Sequence, residues 1–103
     1  MKFRWNRYPC PCCGCFTLPE QGQYDICPVC FWEDDPVQSR DERLDGGANK
    51  VSLNEARKNY LAFGVCEKGM LPHVRKPVPE ELMPDQAHHS KALKGLLDKH
   101  FGK

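Results

Sequence analysis

The stretch CPCCGCFTLPEQGQYDICPVCFWEDD, residues 10–35, decides how this chain folds. It opens on the pair Cys10/Cys13 and returns, 13 residues later, to the pair Cys27/Cys30. Two residues between paired cysteines let the backbone turn tightly, so that both sulfurs can face one ion. Backbone N–H groups in such a turn can point at the sulfurs and spread their charge. A proline after the first cysteine of each pair fixes φ and stiffens the turn. Gly14 permits the positive φ that the turn needs. Phe31 stands in the matching place after Cys30, so the second turn is expected to differ. Together Cys10, Cys13, Cys27 and Cys30 supply four thiolates, the closed tetrahedral shell of structural zinc. One zinc per chain is therefore expected. Iron is the second candidate, because four thiolates also hold a single iron.

The register has one alternative, since Cys12 and Cys15 are also two residues apart. The repeated C-P-x-C pattern favours Cys10/Cys13. Cys12, Cys15 and Cys66 then read as small buried packing thiols. Between the pairs, residues 16–18 and 24–26 are predicted to be the two strands of a hairpin turned at PEQGQ. That hairpin would bring both cysteine turns to one end.

Working outward, the seven cysteines are an odd set for a disulfide framework, and six of them fall between Cys10 and Cys30. MKFRWNRYPC carries no apolar run, and no stretch is long enough to cross a membrane. A cytoplasmic location is expected, where disulfides are rare and metal–thiolate sites common. At 103 residues the chain is short, buries little surface and gains from a cross-link. Two units are expected: a cysteine-rich metal-binding domain over residues 1–83 and a helical tail over 84–103.

Phe3, Trp5 and Tyr8 alternate with polar residues and suggest a short strand. Residues 36–50 are polar and end in DGGAN, a loop signal. VSLNEARKNYLAFG is the clearest helix. Ser52 can cap it, Glu55 stands at the capping-box position, and Gly64 is placed to end it. Leu53, Ala56, Tyr60 and Phe63 share a face, which must pack on something, and the cysteine module is the expected partner. Pro72, Pro77, Pro79 and Pro84 make residues 70–85 extended or turn. Glu80 and Glu81 read as a solvated helix start. A second helix is predicted from about Gln86 to His100. His73, His88, His89 and His100 read as surface or boundary residues rather than a second metal site. The fold class is thus small α+β: a zinc-ribbon or rubredoxin-like cysteine hairpin packed against one or two helices.

CPCCG, YDICPVCFWEDDPVQ, GGAN and VSLNEARKNYLAFG resemble the bacterial cysteine-rich CPCC family, as do GVCEKG and VRKPVPEE. The resemblance runs from Tyr8 to Pro79. It implies that Cys10, Cys12, Cys13, Cys27, Cys30 and FWEDD are motif positions, and it assigns no reaction. In family patterns the place of Cys15 is often aromatic, which implies that Cys15 is not a ligand.

Charge separates the functional alternatives. The net charge is +1, yet residues 9–67 hold ten acidic and five basic side chains, while both ends are basic. FWEDD sets Phe31 and Trp32 beside Glu33, Asp34 and Asp35. Exposed, these five residues would suit a basic protein partner, with the charges steering and the rings anchoring. A non-enzymatic protein-interaction role follows, toxin immunity being its most specific form. Packed inward, Trp32 would instead support the metal site. Nucleic-acid binding is the alternative, carried by Lys2, Arg4, Arg7, Arg75, Lys76, Lys91, Lys94 and Lys99. The acidic cysteine region opposes it, because a phosphate backbone is repelled there. A dithiol oxidoreductase at Cys27/Cys30 is disfavoured, since the acids that follow raise a thiol pKa. The oligomeric state is left open.

Overall fold

The computed structural model describes residues 6–82. The predicted helix near Gln86–His100, the tail over 84–103, His88, His89 and His100 lie outside the described residues, as do Phe3 and Trp5. The described part is a small α+β fold. Two strands, β1 (Tyr8–Pro9) and β2 (Phe16–Leu18), form an antiparallel pair, followed by helices α1 (Pro36–Arg40) and α2 (Leu53–Phe63). Two 3-10 turns, Lys68–His73 and Pro79–Glu81, end it. No described helix is long and apolar enough to cross a membrane.

The predicted hairpin between residues 16–18 and 24–26 does not form. β2 pairs backward with β1, Tyr8 opposite Leu18 and Pro9 opposite Phe16. Residues 24–26 pair forward instead. Ile26 bridges Glu33, and backbone bonds run from Tyr24 N–H to Asp34 O (3.1 Å), Asp34 N–H to Asp25 O (2.9 Å) and Cys27 N–H to Trp32 O (2.9 Å). The physical reason is that each cysteine turn itself reverses the chain. The segments flanking one turn are already close and pair locally, at less entropic cost than closing the longer spacer.

The core is largely sulfur. Cys10, Cys12, Cys13, Cys15, Cys27, Cys30 and Cys66 cluster with Leu18, Val29, Trp32, Leu53 and Ala56. Helix α2 forms as its sequence indicates. Ser52 Oγ accepts the Glu55 N–H at 3.2 Å, and Gly64 closes the helix at φ 84°. Leu53 and Ala56 enter the cysteine core, Tyr60 is half-buried against it, and Phe63 remains 39% exposed. Phe63 therefore does not complete the buried face. It lies at the last helical position, where the chain turns away, with the Lys68 ammonium 5.3 Å above its ring. Arg57 ties the helix to the first cysteine turn, its Nε donating to Pro11 O at 3.0 Å.

Residues 36–50 are more ordered than a loop. Asp35 caps α1 and Pro36 occupies its first turn. Gln38 is fully buried: Nε2 donates to Leu44 O, Asn49 O and Val51 O, while Oε1 accepts from Asn49 N–H and Nδ2. Glu81 also departs from the solvated reading. It is 3% exposed and forms a two-pronged pair with Arg75, whose backbone N–H in turn donates to Pro28 O.

Candidate metal centre

Both cysteine turns have the same construction. In the first, Gly14 N–H donates to Cys10 O (2.8 Å) and Cys10 N–H to Cys15 O (2.8 Å). In the second, Phe31 N–H donates to Cys27 O (2.8 Å) and Cys27 N–H to Trp32 O (2.9 Å). Gly14 has φ 80° and Phe31 has φ 71°. The second turn thus matches the first although it lacks glycine. A side chain in this left-handed region costs roughly 1–2 kcal/mol. The Phe31 ring packs against the core and lies 5.4 Å from the exposed His73 ring.

Folded this way, the turns bring four sulfurs together. The Sγ atoms of Cys10, Cys13, Cys27 and Cys30 all lie within 4.8 Å of one another, and all four residues are buried. Cys10 and Cys30 Sγ are 3.6 Å apart, and Cys13 and Cys27 Sγ 3.7 Å. Tetrahedral Zn–S bonds of about 2.3 Å require sulfurs about 3.8 Å apart. A disulfide requires about 2 Å, and every described cysteine is free. The donor set therefore fits one thiophilic ion.

Hydrogen-bond donors reach two of the four sulfurs. Val29 N–H points at Cys27 Sγ and Cys15 N–H at Cys13 Sγ, each at 3.4 Å. Thr17 Oγ1 lies 3.1 Å from Cys27 Sγ. Burial raises the Cys10 and Cys30 thiols, and hydrogen bonding with Cys10 leads the rise at Cys13. Cys27 is lowered, chiefly by its hydrogen bond from Cys10. Four thiols in one dry pocket cannot all ionise without a cation, and a divalent ion removes that conflict.

The remaining cysteines stand where the Cys10/Cys13 register puts them. Cys12, Cys15 and Cys66 are buried outside the four-sulfur group. Burial pushes the Cys66 thiol up to about 12, so it is an inert packing group.

The FWEDD segment is the main correction. Trp32, Asp34 and Asp35 are buried, so they cannot present the exposed acidic face expected with Phe31 and Glu33. Trp32 packs among the cysteines, and its indole N–H has no acceptor among the described residues. Asp34 accepts from Gly22 N–H at 2.6 Å. Asp35 accepts from Val37 and Gln38 N–H at the start of α1 and from Ala48 N–H. The reason is that backbone N–H groups of Gly22, Val37, Gln38 and Ala48 converge on the two carboxylates and hold them inward. Glu33 is half-exposed, but its backbone is held by Asn49, whose carboxamide pairs with Glu33 N–H (2.9 Å) and Glu33 O (2.8 Å) like a strand residue.

Sequence reasoning missed Thr17, Gln38, Asn49 and the Arg75–Glu81 pair. Asp35-Pro36 carried a usable signal for α1, a capping acid followed by proline at the first helical position. The partners of Gln38 and Thr17 lie 6–13 and 10 residues away, and no local pattern marks them.

A small α+β fold closed around buried paired cysteines defines a cysteine-rich protein with a four-sulfur candidate metal centre. The chain belongs to the Cysteine-rich CPCC family, whose profile matches residues 8–81. No curated protein matches the chain.

Proposed function

We propose that this is a non-enzymatic zinc protein whose ion is structural, joining two zinc-ribbon or rubredoxin-like cysteine turns. The carrying observation is the group of four buried sulfurs within 4.8 Å of one another. When bound, zinc supplies charge neutralisation and a cross-link. Cys10, Cys13, Cys27 and Cys30 are its four ligands, leaving no position for a reacting water. Their burial also supports a structural role over a dithiol enzyme, because reactive thiols need access. Elemental analysis of purified protein should give about one zinc per chain. Folded, metal-free protein with free thiols would defeat the reading, and iron in place of zinc would correct it.

For the biological role we favour contact with another protein, toxin immunity being its most specific form, over nucleic-acid binding. Supporting this, Arg75 is paired with Glu81 and Arg57 with Glu42, which withdraws two cations from any phosphate-binding surface. Exposed Leu61 and Leu71 offer apolar contacts instead. The five-residue FWEDD surface loses its support, because three members are buried. Tight, salt-sensitive binding of an oligonucleotide would reverse this preference.

A further inference from the structure

We propose that Thr17 is a positioning residue for the metal centre, its hydroxyl donating a hydrogen bond to the Cys27 thiolate. The inference rests on the reading of the four cysteines as a metal site and extends it to a residue outside the ligand set. Thr17 lies at the middle of β2, beside the first cysteine turn, and is 7% exposed. Its Oγ1 reaches across to the second turn, 3.1 Å from Cys27 Sγ. The next oxygen available to it, Cys15 O, is at 3.5 Å, beyond the useful range for O–H···O bonding. The single hydroxyl proton therefore belongs to the sulfur. A metal-bound thiolate has no proton of its own, so the direction of donation is fixed.

The bond has two consequences. Four thiolates on a divalent ion leave a formal charge of roughly −2 in a buried site. Each donor aimed at sulfur draws off part of that charge. Cys27 has two donors, the Thr17 hydroxyl from β2 and Val29 N–H, at 3.4 Å, from its own turn. Val29 N–H belongs to the same turn as its sulfur and would form in an isolated turn. The Thr17 bond joins the β2 strand to the second turn, so it also sets where Cys27 stands relative to Cys10 and Cys13.

The test compares the full chain with Thr17→Val and Thr17→Ser. Zinc affinity is read by competition with a chromophoric chelator. Cobalt(II) substituted for zinc reports sulfur-to-metal charge transfer. Thr17→Val should weaken zinc binding about tenfold, the lower end of what partners of metal ligands contribute. Its charge-transfer band should move to lower energy, because sulfur electrons are no longer held by the hydroxyl. Thr17→Ser should restore both. A residue that only fills space would change stability without moving the band. Wild-type affinity and band in Thr17→Val would overturn the proposal, as would a Thr17→Ser protein that behaves like Thr17→Val. Should Thr17→Val not fold, Thr17→Ala against Thr17→Ser makes the same comparison. A wild-type chain that binds neither zinc nor cobalt would instead overturn the metal reading, and this inference with it.

Discussion

Asp35 places both carboxylate oxygens on backbone donors, Oδ1 on the start of α1 and Oδ2 on Ala48. Asp35→Ala should therefore cost about 1–2 kcal/mol through loss of the cap, and Asp35→Lys more. Close packing explains the second glycine of DGGAN, Gly47. A methyl group there would meet Asp35 Oδ2 and Gln38 Cδ, both at 2.8 Å. Gly47→Ala should destabilise by about 1–3 kcal/mol in urea unfolding, and a neutral result would show that the clamp can open. Acid should expose the same design. Asp35 is held below its ordinary value chiefly by Ala48 N–H, and Glu81 chiefly by Arg75. Their stabilisation is complete above the unfolded carboxyl range near pH 4 and is lost as pH falls through the lower folded values. Glu81→Gln should thus lie below wild type in stability at neutral pH, and the gap should narrow towards pH 3. A gap independent of pH would refute that assignment. Side-chain type alone could not reveal any of this. FWEDD has the composition of a surface, and only the positions of backbone donors from residues 22, 37, 38 and 48 turn its acids inward.

At the level of elements, the bounds of α2 were legible because their signals are local, Ser52 at one end and Gly64 at the other; Leu53 and Ala56 take the expected inner face, and Phe63 does not. Ser52→Ala should cost about 1 kcal/mol. Tyr60→Ala, at a half-buried ring packed on the cysteines, should cost more than Phe63→Ala. Thermal unfolding of the three variants tests that order, and a larger loss at Phe63 would refute the packing described. The strands were legible in place but not in pairing. Residues 16–18 do form a strand, yet alternation cannot say which neighbour it takes. The equivalence of the two turns was likewise hidden at Phe31, where packing outweighs an unfavourable φ. α1 is only five residues long and shows no periodicity, so its cap was the sole clue.

For the whole molecule, the four-sulfur group was legible because two C-x-x-C pairs mark its members in the sequence. A core composed so largely of cysteine holds little hydrocarbon, so the fold should depend on the ion. Cys10→Ser or Cys27→Ser should lose bound metal and cooperative unfolding together, since metal affinity is here folding free energy. Cys15→Ser should be mild and keep full zinc content. The reverse pattern, with Cys12 and Cys15 essential, would place the site in the other register.

Because each turn is closed by its own flanking segments, the exposed stretch around Glu20 and Gln21 acts as a tether rather than a hairpin bend. Lengthening a tether is inexpensive, with each doubling of a loop costing only about 0.6 kcal/mol. It follows that the chain is divisible. Cut between Glu20 and Gln21, the two fragments should reassemble when zinc is added, each contributing two sulfurs. Their association should then depend on fragment concentration, as the intact chain's folding does not. The ion would serve as the joint of a two-piece protein, and titrating it would read out assembly directly.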